Sequence, residues 1–532
     1  MSADDESFHP LGSEWEGELE SMLDETEYDT DLGLEMAKDA MRVTKGELSE
    51  AEFHEKYHED VMAEFGEDQR PTQEAFEEAQ AVEEGTFSRM LEKFDGDGEE
   101  GRRDVMKKMG AGAAFLGLGA WGAADGSDPE PNVAAAEDDH GDDDGLQWGM
   151  TIDLEQCDGC LSCMQACGME NNLDQGVNWM YVLDYEDGGP DTSQNRLVRP
   201  CQHCTDAPCE KVCPTTARHT RDSDGLVLTD YDVCIGCRYC QVACPYGVNY
   251  FQWDEPDIST DEIAAQAERE GMNGDHMTDE RGRWVDSRAP RGVMSKCTMC
   301  PTRQDGHMGD EKRGTTACED ACDPGAIQFG DVNDERSDAG MYKKNPSRGR
   351  ALWGLHGDVP DPDALAEELS DSDDDLESIV EASEELDEDL IARAIAIEMT
   401  GEEMGEGPEH GTSNLAETER DILEFLEFLS DQGLDLEDEE LLDELGISDP
   451  QDYLEAQEGN PESNFNLLDD IGTNPNVQYL GNEPGPHAEQ VEGPVAYEDV
   501  IYPRADEETV NLVDKRQEVL NEGTVGDAGV SL

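Results

Sequence analysis

The sequence predicts an α+β fold, with a cysteine-rich core interrupted and extended by acidic helical segments. Three observations carry this. All 16 cysteines fall between Cys157 and Cys322, in four groups of four. Outside the groups, apolar residues recur at helical spacing within strongly acidic stretches. No run of 18 uninterrupted apolar residues occurs, which excludes an ordinary membrane-spanning helix.

Acidity runs through the whole chain. The 532 residues hold 132 Asp+Glu against 36 Lys+Arg, a formal net charge of -96. In dilute buffer such self-repulsion opposes a compact state; in molar salt it is screened to short range. Asp and Glu crowd every segment, including those between the cysteine groups, so the pattern fits a protein adapted to high salt. It also excludes nucleic-acid binding of the usual kind, since no basic stripe exists.

The first group is CDGCLSCMQAC, with Cys157, Cys160, Cys163 and Cys167. The second, CQHCTDAPCEKVCP, supplies Cys201, Cys204, Cys209 and Cys213. The third, CIGCRYCQVACP, supplies Cys234, Cys237, Cys240 and Cys244, and matches C-x2-C-x2-C-x3-C-P in full. The fourth is CTMC followed by CEDAC: Cys297, Cys300, Cys318 and Cys322. Disulfides do not need four such tight runs. A zinc ribbon wants two CxxC pairs split by a longer loop. Groups one and three instead put four thiolates within eleven residues. Three wrap one iron–sulfur cubane and the fourth points toward another cluster, so all sixteen cysteines are candidate iron ligands. Such clusters move single electrons and need no substrate pocket. No other catalytic constellation is visible in this region.

These stretches resemble the four-cluster iron–sulfur subunits of the dimethyl sulfoxide reductase family, among them the electron-transfer subunits of polysulfide, tetrathionate and formate-dependent nitrite reductases. The resemblance rests on CDGCLSCMQACGMENN (157–172), RPCQHCTDAPCEKVCPTTA (199–217), DVCIGCRYCQVACPYGVNYF (232–251), KCTMC (296–300) and ACEDACDPGAIQFGDVND (317–334). NFNLLDDIGTNPNVQYL (464–480) is similar to the segment that closes the family's fold.

The resemblance implies two interleaved ferredoxin-like halves, each binding two [4Fe–4S] clusters. Cys157, Cys160 and Cys163 would share a cluster with Cys322, and Cys297, Cys300 and Cys318 with Cys167. Cys201, Cys204 and Cys209 would pair with Cys244, and Cys234, Cys237 and Cys240 with Cys213. Some relatives lose a third-group cysteine and hold a three-iron cluster; this chain keeps all four. Two departures from the pattern are Gly168 after Cys167 and Asp323 between Cys322 and Pro324. The implied role is non-catalytic: a relay between a molybdopterin catalytic subunit and an integral membrane quinone-reactive subunit. The same module serves nickel–iron hydrogenases and quinol-oxidising respiratory complexes, so these stay as alternatives. A zinc-binding scaffold without redox function is the rival from another class.

The resemblance accounts for an oddity upstream. Residues 101–125 form a leader-like stretch, with Arg102 and Arg103 before a short apolar run ending near Ala124. Twin-arginine export carries folded proteins, so clusters assembled in a reducing cytoplasm survive the passage. The expected location is the outer face of the cytoplasmic membrane.

The remaining layout follows from composition. Residues 1–100 read as an acidic helical extension, with a capping box at Ser49 and Glu52 before Phe53, Tyr57, Val61 and Phe65. His54 and His58 mimic the H-E-x-x-H zinc motif but read as two exposed histidines. Residues 126–146 read as a disordered linker. The core is expected at 147–253 and 293–335, split by an acidic insertion at 254–292. A second, helical insertion spans 336–463, with an amphipathic stripe of Ile422, Leu423, Phe425, Leu426 and Leu429, read as a solvated helical elaboration or as a docking surface for a partner subunit. The closing segment is 464–482 and an acidic tail runs 483–532. His203, inside CQHC, is expected beside a cluster but not as a ligand, and Arg238 and Lys296, beside ligands, read either as charges that raise cluster potentials or as solvated surface charges.

Overall fold

The structure, a computed structural model, describes residues 13–66, 68–70, 145–173, 177–186, 195–253, 278–286, 288–369, 375–383, 385–401, 407–436 and 438–484, with a few isolated positions and three short strands beyond 488. The leader at 101–125, nearly all of the linker and most of the 254–292 insertion lie outside the described residues. The chain divides into two compact units, residues 49–141 and the remainder.

In the smaller unit the described part is chiefly α3 (Glu50–Phe65), closed at its start by the expected capping box and at its end by left-handed Gly66. Phe53, Tyr57 and Val61 are buried. So is His54, which corrects the expectation of two exposed histidines: the buried face is wider than the apolar stripe and takes in the neighbour of Phe53. His58 pairs instead with Asp68 at 3.0 Å.

The larger unit opens with α1 (Ser13–Asp24) and α2 (Thr30–Thr44), the second started by the Asp29 carboxylate accepting from the Leu32 amide. In its central sheet, strand β1 (Trp148–Asp153) runs parallel to β10 (Val477–Leu480) and antiparallel to β8 (Ile327–Asp331). The short β9 (Asn464–Phe465) completes the edge, giving the order β8-β1-β10-β9. The segment expected to close the fold therefore supplies two strands of this sheet. All six residues of β1 are buried, because the sheet is covered on both faces. Trp148 stacks on Phe329 at 5.4 Å, locking the β1–β8 register.

The strands frame the cysteine groups. Strand β1 enters group one and β8 leaves group four, so their pairing joins the two ends. Strands β4 (Arg218–Thr220) and β5 (Val227–Thr229) do the same for groups two and three. Strands β2 (Tyr181–Glu186) and β3 (Asn195–Arg199) bridge groups one and two, and β6 (Tyr250–Phe251) and β7 (Met294–Ser295) bridge three and four.

The 336–463 stretch is helical. The long helices Glu388–Thr400 and Asn414–Asp431 pack with Pro346–Gly354 and Pro450–Glu458. Ile422, Phe425, Leu426 and Leu429 face a second apolar core built from these helices, while Leu423 is exposed. The stripe is therefore an inward face. Arg350 joins this core to the sheet by donating to both carboxylate oxygens of Asp153, at 2.7 and 3.0 Å. Part of the tail also has a place, since β11 (Glu489–Glu492) pairs with β2.

Candidate metal centre

Each cysteine group follows one local plan. In all four, the residue two positions after the first cysteine has a positive φ: Gly159 at 75°, His203 at 42°, Gly236 at 69° and Met299 at 58°. This left-handed step bends the C-x-x-C loop back on itself, so that backbone amides turn toward sulfur. Glycine takes the step without steric cost in groups one and three; His203 and Met299 are held in it by burial. A helix then starts at or near the third cysteine: α4 (Ser162–Glu170), α5 (Pro208–Lys211), α6 (Tyr239–Val242) and, after α7 (Pro301–Gln304), α8 (Ala317–Asp320).

The fourth cysteine comes four residues after the third in every group: Cys163 and Cys167, Cys209 and Cys213, Cys240 and Cys244, Cys318 and Cys322. In α4 that step is one helical turn, about 6 Å of rise, and in the other groups the short helix ends before the fourth cysteine, so that thiols four residues apart serve different cages. Gly168 does not disturb α4, which runs through it with open space around it. The Asp323 carbonyl accepts from the Trp353 indole at 3.0 Å, which holds the turn after Cys322 without a proline at that position.

The sixteen cysteines gather around four cages. Cys157, Cys160, Cys163 and Cys322 line one cavity of about 310 Å³, here the first cage. Cys201, Cys204, Cys209 and Cys244 line another of about 330 Å³, the third cage. Cys213, Cys234, Cys237 and Cys240 line the fourth cage, again about 310 Å³. In the second cage Cys167 lies among Cys297, Cys300 and Cys318, and the Asn171 amide reaches Cys167 Sγ at 3.6 Å and Cys300 Sγ at 4.0 Å.

The donor set fits iron–sulfur cubanes. These three cavities are similar in size and each is lined by four thiols. Among the described residues no three His, Cys, Asp or Glu side chains close on a single ion. Sulfurs spread around a cavity suit a polynuclear guest better than one zinc. Backbone amides aim at the sulfurs: those of Tyr246, Gly247 and Val248 at Cys244, and those of Ala326 and Ile327 at Cys322. Burial pushes the Cys163 thiol up to about 12 and Cys297 to about 11, with neighbouring cysteines adding to the rise. Such thiols ionise at neutral pH only when a bound cation compensates.

Successive cages adjoin, first to fourth. Cys163 of the first senses Cys318 of the second. Cys297 of the second senses Cys201 of the third, whose Cys209 senses Cys240 of the fourth. His203 lies at the second junction. Its Nδ1 accepts from the Val227 amide at 3.1 Å, so Nε2 carries the proton and donates to the Cys297 carbonyl at 2.9 Å. Burial holds its pKa well below the ordinary value, so the ring is neutral and supports the site without ligating. Arg238 and Lys296 are both buried, which corrects the reading of them as solvated surface charges. Arg238 is packed between the Phe251 and Trp253 rings, at 4.1 and 4.2 Å, and donates to the Met22 carbonyl. Arg218 went unnoticed in the sequence; a lone arginine four residues past a CP pair gives no signal without the fold.

The centre defines a ferredoxin-type iron–sulfur protein, and the comparisons with known proteins agree. Residues 194–278 match the 4Fe-4S dicluster domain family, and residues 9–73 match a family described as the N-terminal region of 4Fe-4S ferredoxin iron–sulfur binding. The chain is 38% identical over 210 residues to a putative dimethyl sulfoxide reductase iron–sulfur subunit of Halobacterium salinarum, covering 37% of this chain and 70% of that one. It is 37% identical to the arsenate respiratory reductase iron–sulfur subunit of a Shewanella species, over 36% of this chain and 85% of the relative. It is 36% identical to the menaquinone reductase iron–sulfur cluster-binding subunit of Nitratidesulfovibrio vulgaris, over 35% and 76%. The chain belongs to the [4Fe–4S] iron–sulfur electron-transfer subunits of dimethyl sulfoxide reductase-family complexes.

Proposed function

We propose that this chain is an exported electron relay with four [4Fe–4S] clusters, one per cage, working between a molybdopterin catalytic subunit and a quinone-reactive membrane subunit. The observation that carries the reading is the series of four adjoining cages, each lined by three thiols of one group and a fourth from another. When bound, the clusters supply one-electron chemistry with little reorganisation. The chain's own part is to bring ligands of neighbouring sites within four residues of each other in each group, to keep most of the thiols away from water, and to aim amides at sulfur.

The two ends of the series differ. At the first cage Cys160 is exposed, with Met169 exposed on the helix beside it. At the fourth, Cys234 is half-buried between partly exposed Val233 and Ile235. These suit two separate electron partners. The relatives named for dimethyl sulfoxide, arsenate and menaquinone reductases support an oxidoreductase complex of this kind. No helix among the described residues is long and apolar enough to cross a membrane.

Electron paramagnetic resonance of the reduced protein tests the relay. Four interacting one-electron centres, with line splitting from coupling between neighbours, are expected; isolated uncoupled signals would contradict it. Export is tested by replacing Arg102 and Arg103 with Lys. The change keeps charge but removes the guanidinium groups, and should strand a folded, iron-loaded protein in the cytoplasm. Undiminished export would remove the leader from the account.

A further inference from the structure

Arg218 lines the cavity of the fourth cage and is 1% exposed. It meets two of that cage's thiols. Its backbone amide donates to Cys213 Sγ at 3.3 Å, and its Nη2 donates to Cys240 Sγ at 3.7 Å. The same nitrogen donates to Asn249 Oδ1 at 2.7 Å, while Asn249 Nδ2 donates to the Cys240 carbonyl at 3.1 Å. Asn249 thus clamps the guanidinium to the cysteine it faces. The Nε and Nη1 of Arg218 are buried without a partner.

Other buried arginines of this chain are answered by carboxylates. Arg221 is paired with Asp224 and Asp305, Arg303 with Glu170 and Asp320, and Arg350 with Asp153 and Glu155. Arg218 has no such partner among the described residues, although the chain holds 132 Asp+Glu. A buried cation without a counter-charge is costly, and what Arg218 faces instead is a cage ligand. Arg238 lines the same cavity, but its guanidinium is spent elsewhere: it lies between the Phe251 and Trp253 rings, donates to the Met22 carbonyl and stands 3.8 Å from Glu25. Lys296, at the third cage, turns its ammonium to the carbonyls of Val227 and Cys297.

We propose that the Arg218 guanidinium is a built-in counter-charge for the fourth cluster, raising its midpoint potential so that this end station holds an electron more readily than its four thiolates alone would allow. The inference rests on the four-cluster reading above. A [4Fe–4S] cluster with four thiolate ligands is a dianion when oxidised and a trianion when reduced. A fixed cation that donates to a ligand sulfur in a dry, low-dielectric setting stabilises the trianion more than the dianion. The electron so held stands next to the half-buried Cys234, between partly exposed Val233 and Ile235, where a partner can reach it.

A redox titration in molar salt, followed by paramagnetic resonance, tests this, since surface charges are screened there and buried ones much less. The fourth-cage signal is the one altered by Cys237→Ser. Arg218→Gln should cut its reduced-to-oxidised ratio at fixed potential about tenfold, a downward shift of about 59 mV, with the first-cage signal unmoved. Arg218→Lys, which keeps the charge, should titrate closer to the native protein than to the glutamine variant. A purely structural role would not separate lysine from glutamine in this way. The proposal is overturned if iron-replete Arg218→Gln leaves the fourth-cage midpoint unmoved, or if Arg218→Lys falls as far as Arg218→Gln. Should Arg218→Gln fail to load the fourth cage, loading itself decides: Arg218→Lys should fill all four cages, and its failure to do so overturns the proposal. Iron analysis of the native sample keeps the two readings apart, since a shortage there contradicts four clusters, and full loading with an unmoved midpoint contradicts only the counter-charge.

Discussion

The Tyr239 hydroxyl donates a 2.7 Å hydrogen bond to the carbonyl of Asp29, tying the fourth cage's helix to a residue 210 positions upstream. The contact depends on Gly33. A β-carbon there would stand 2.7 Å from the Tyr239 ring and 2.9 Å from Leu23. Tyr239 is fully buried and α2 packs on both α5 and α6, so the ring has nowhere to retreat. Gly33→Val should therefore loosen α1 and α2 from the cage at a cost of about 1–3 kcal/mol. Limited proteolysis in high salt should show faster cleavage between α1 and α2. An unchanged digestion pattern would mean that the N-terminal helices do not depend on this contact.

The interleaved pairing has its own test at Cys167. Replacing it with Ser should damage the cluster of Cys297, Cys300 and Cys318 while sparing that of Cys157, Cys160 and Cys163, because the turn of α4 carries the thiol into the second cage. Resonance spectra in which the first-cage signal is lost and the second survives would mean that each group closes on itself.

Asp338 gives a pH dependence of definite sign. Burial pushes its carboxyl up to about 6 from 3.8, although it accepts from the amides of Asn414 and Leu415 at the start of the helix Asn414–Asp431. Nearby Glu319 is also pushed up, by burial and then by Asp338 itself. A raised carboxylate pKa means that the folded state takes up its proton first. Its contribution therefore favours the fold increasingly as pH falls from about 6 to about 4, and is constant above that window. Asp338→Asn keeps an acceptor and removes the titration. Urea midpoints followed by helix circular dichroism should diverge between native and variant below pH 6, with the native protein gaining. Parallel profiles from pH 4 to 7 would contradict the burial argument.

The net charge of -96 predicts dependence on salt. As ionic strength falls from 1 M to 0.1 M the Debye length grows from about 3 to about 10 Å, and each surface carboxylate then repels many more of its neighbours. Visible absorbance of the clusters should bleach on dilution into low salt. Retention of colour for hours in dilute buffer would require another cause for the acidity.

Much of the centre was legible because its chemistry is written in spacing. The C-x2-C runs, the four-residue step onto a helix and the glycines at 159 and 236 announce a wrapped cubane without any fold. His203 and Met299 adopt the same left-handed turn with no such announcement, since burial rather than residue type holds them there. Arg218 and Lys296 illustrate the opposite limit. A charge in an acidic sequence reads as solvated, and only the three-dimensional path of the strands between groups brings it against sulfur. The Ile422–Leu429 stripe showed its period but not its partner, because the helices that cover it come from elsewhere in the insertion.

The central claim is that sixteen cysteines hold four cubanes. Metal and acid-labile sulfide analysis of protein purified anaerobically in molar salt tests it most directly. About sixteen iron atoms and about sixteen sulfides per chain, with negligible zinc, is the predicted result. About four irons, or zinc in stoichiometric amount, would contradict it.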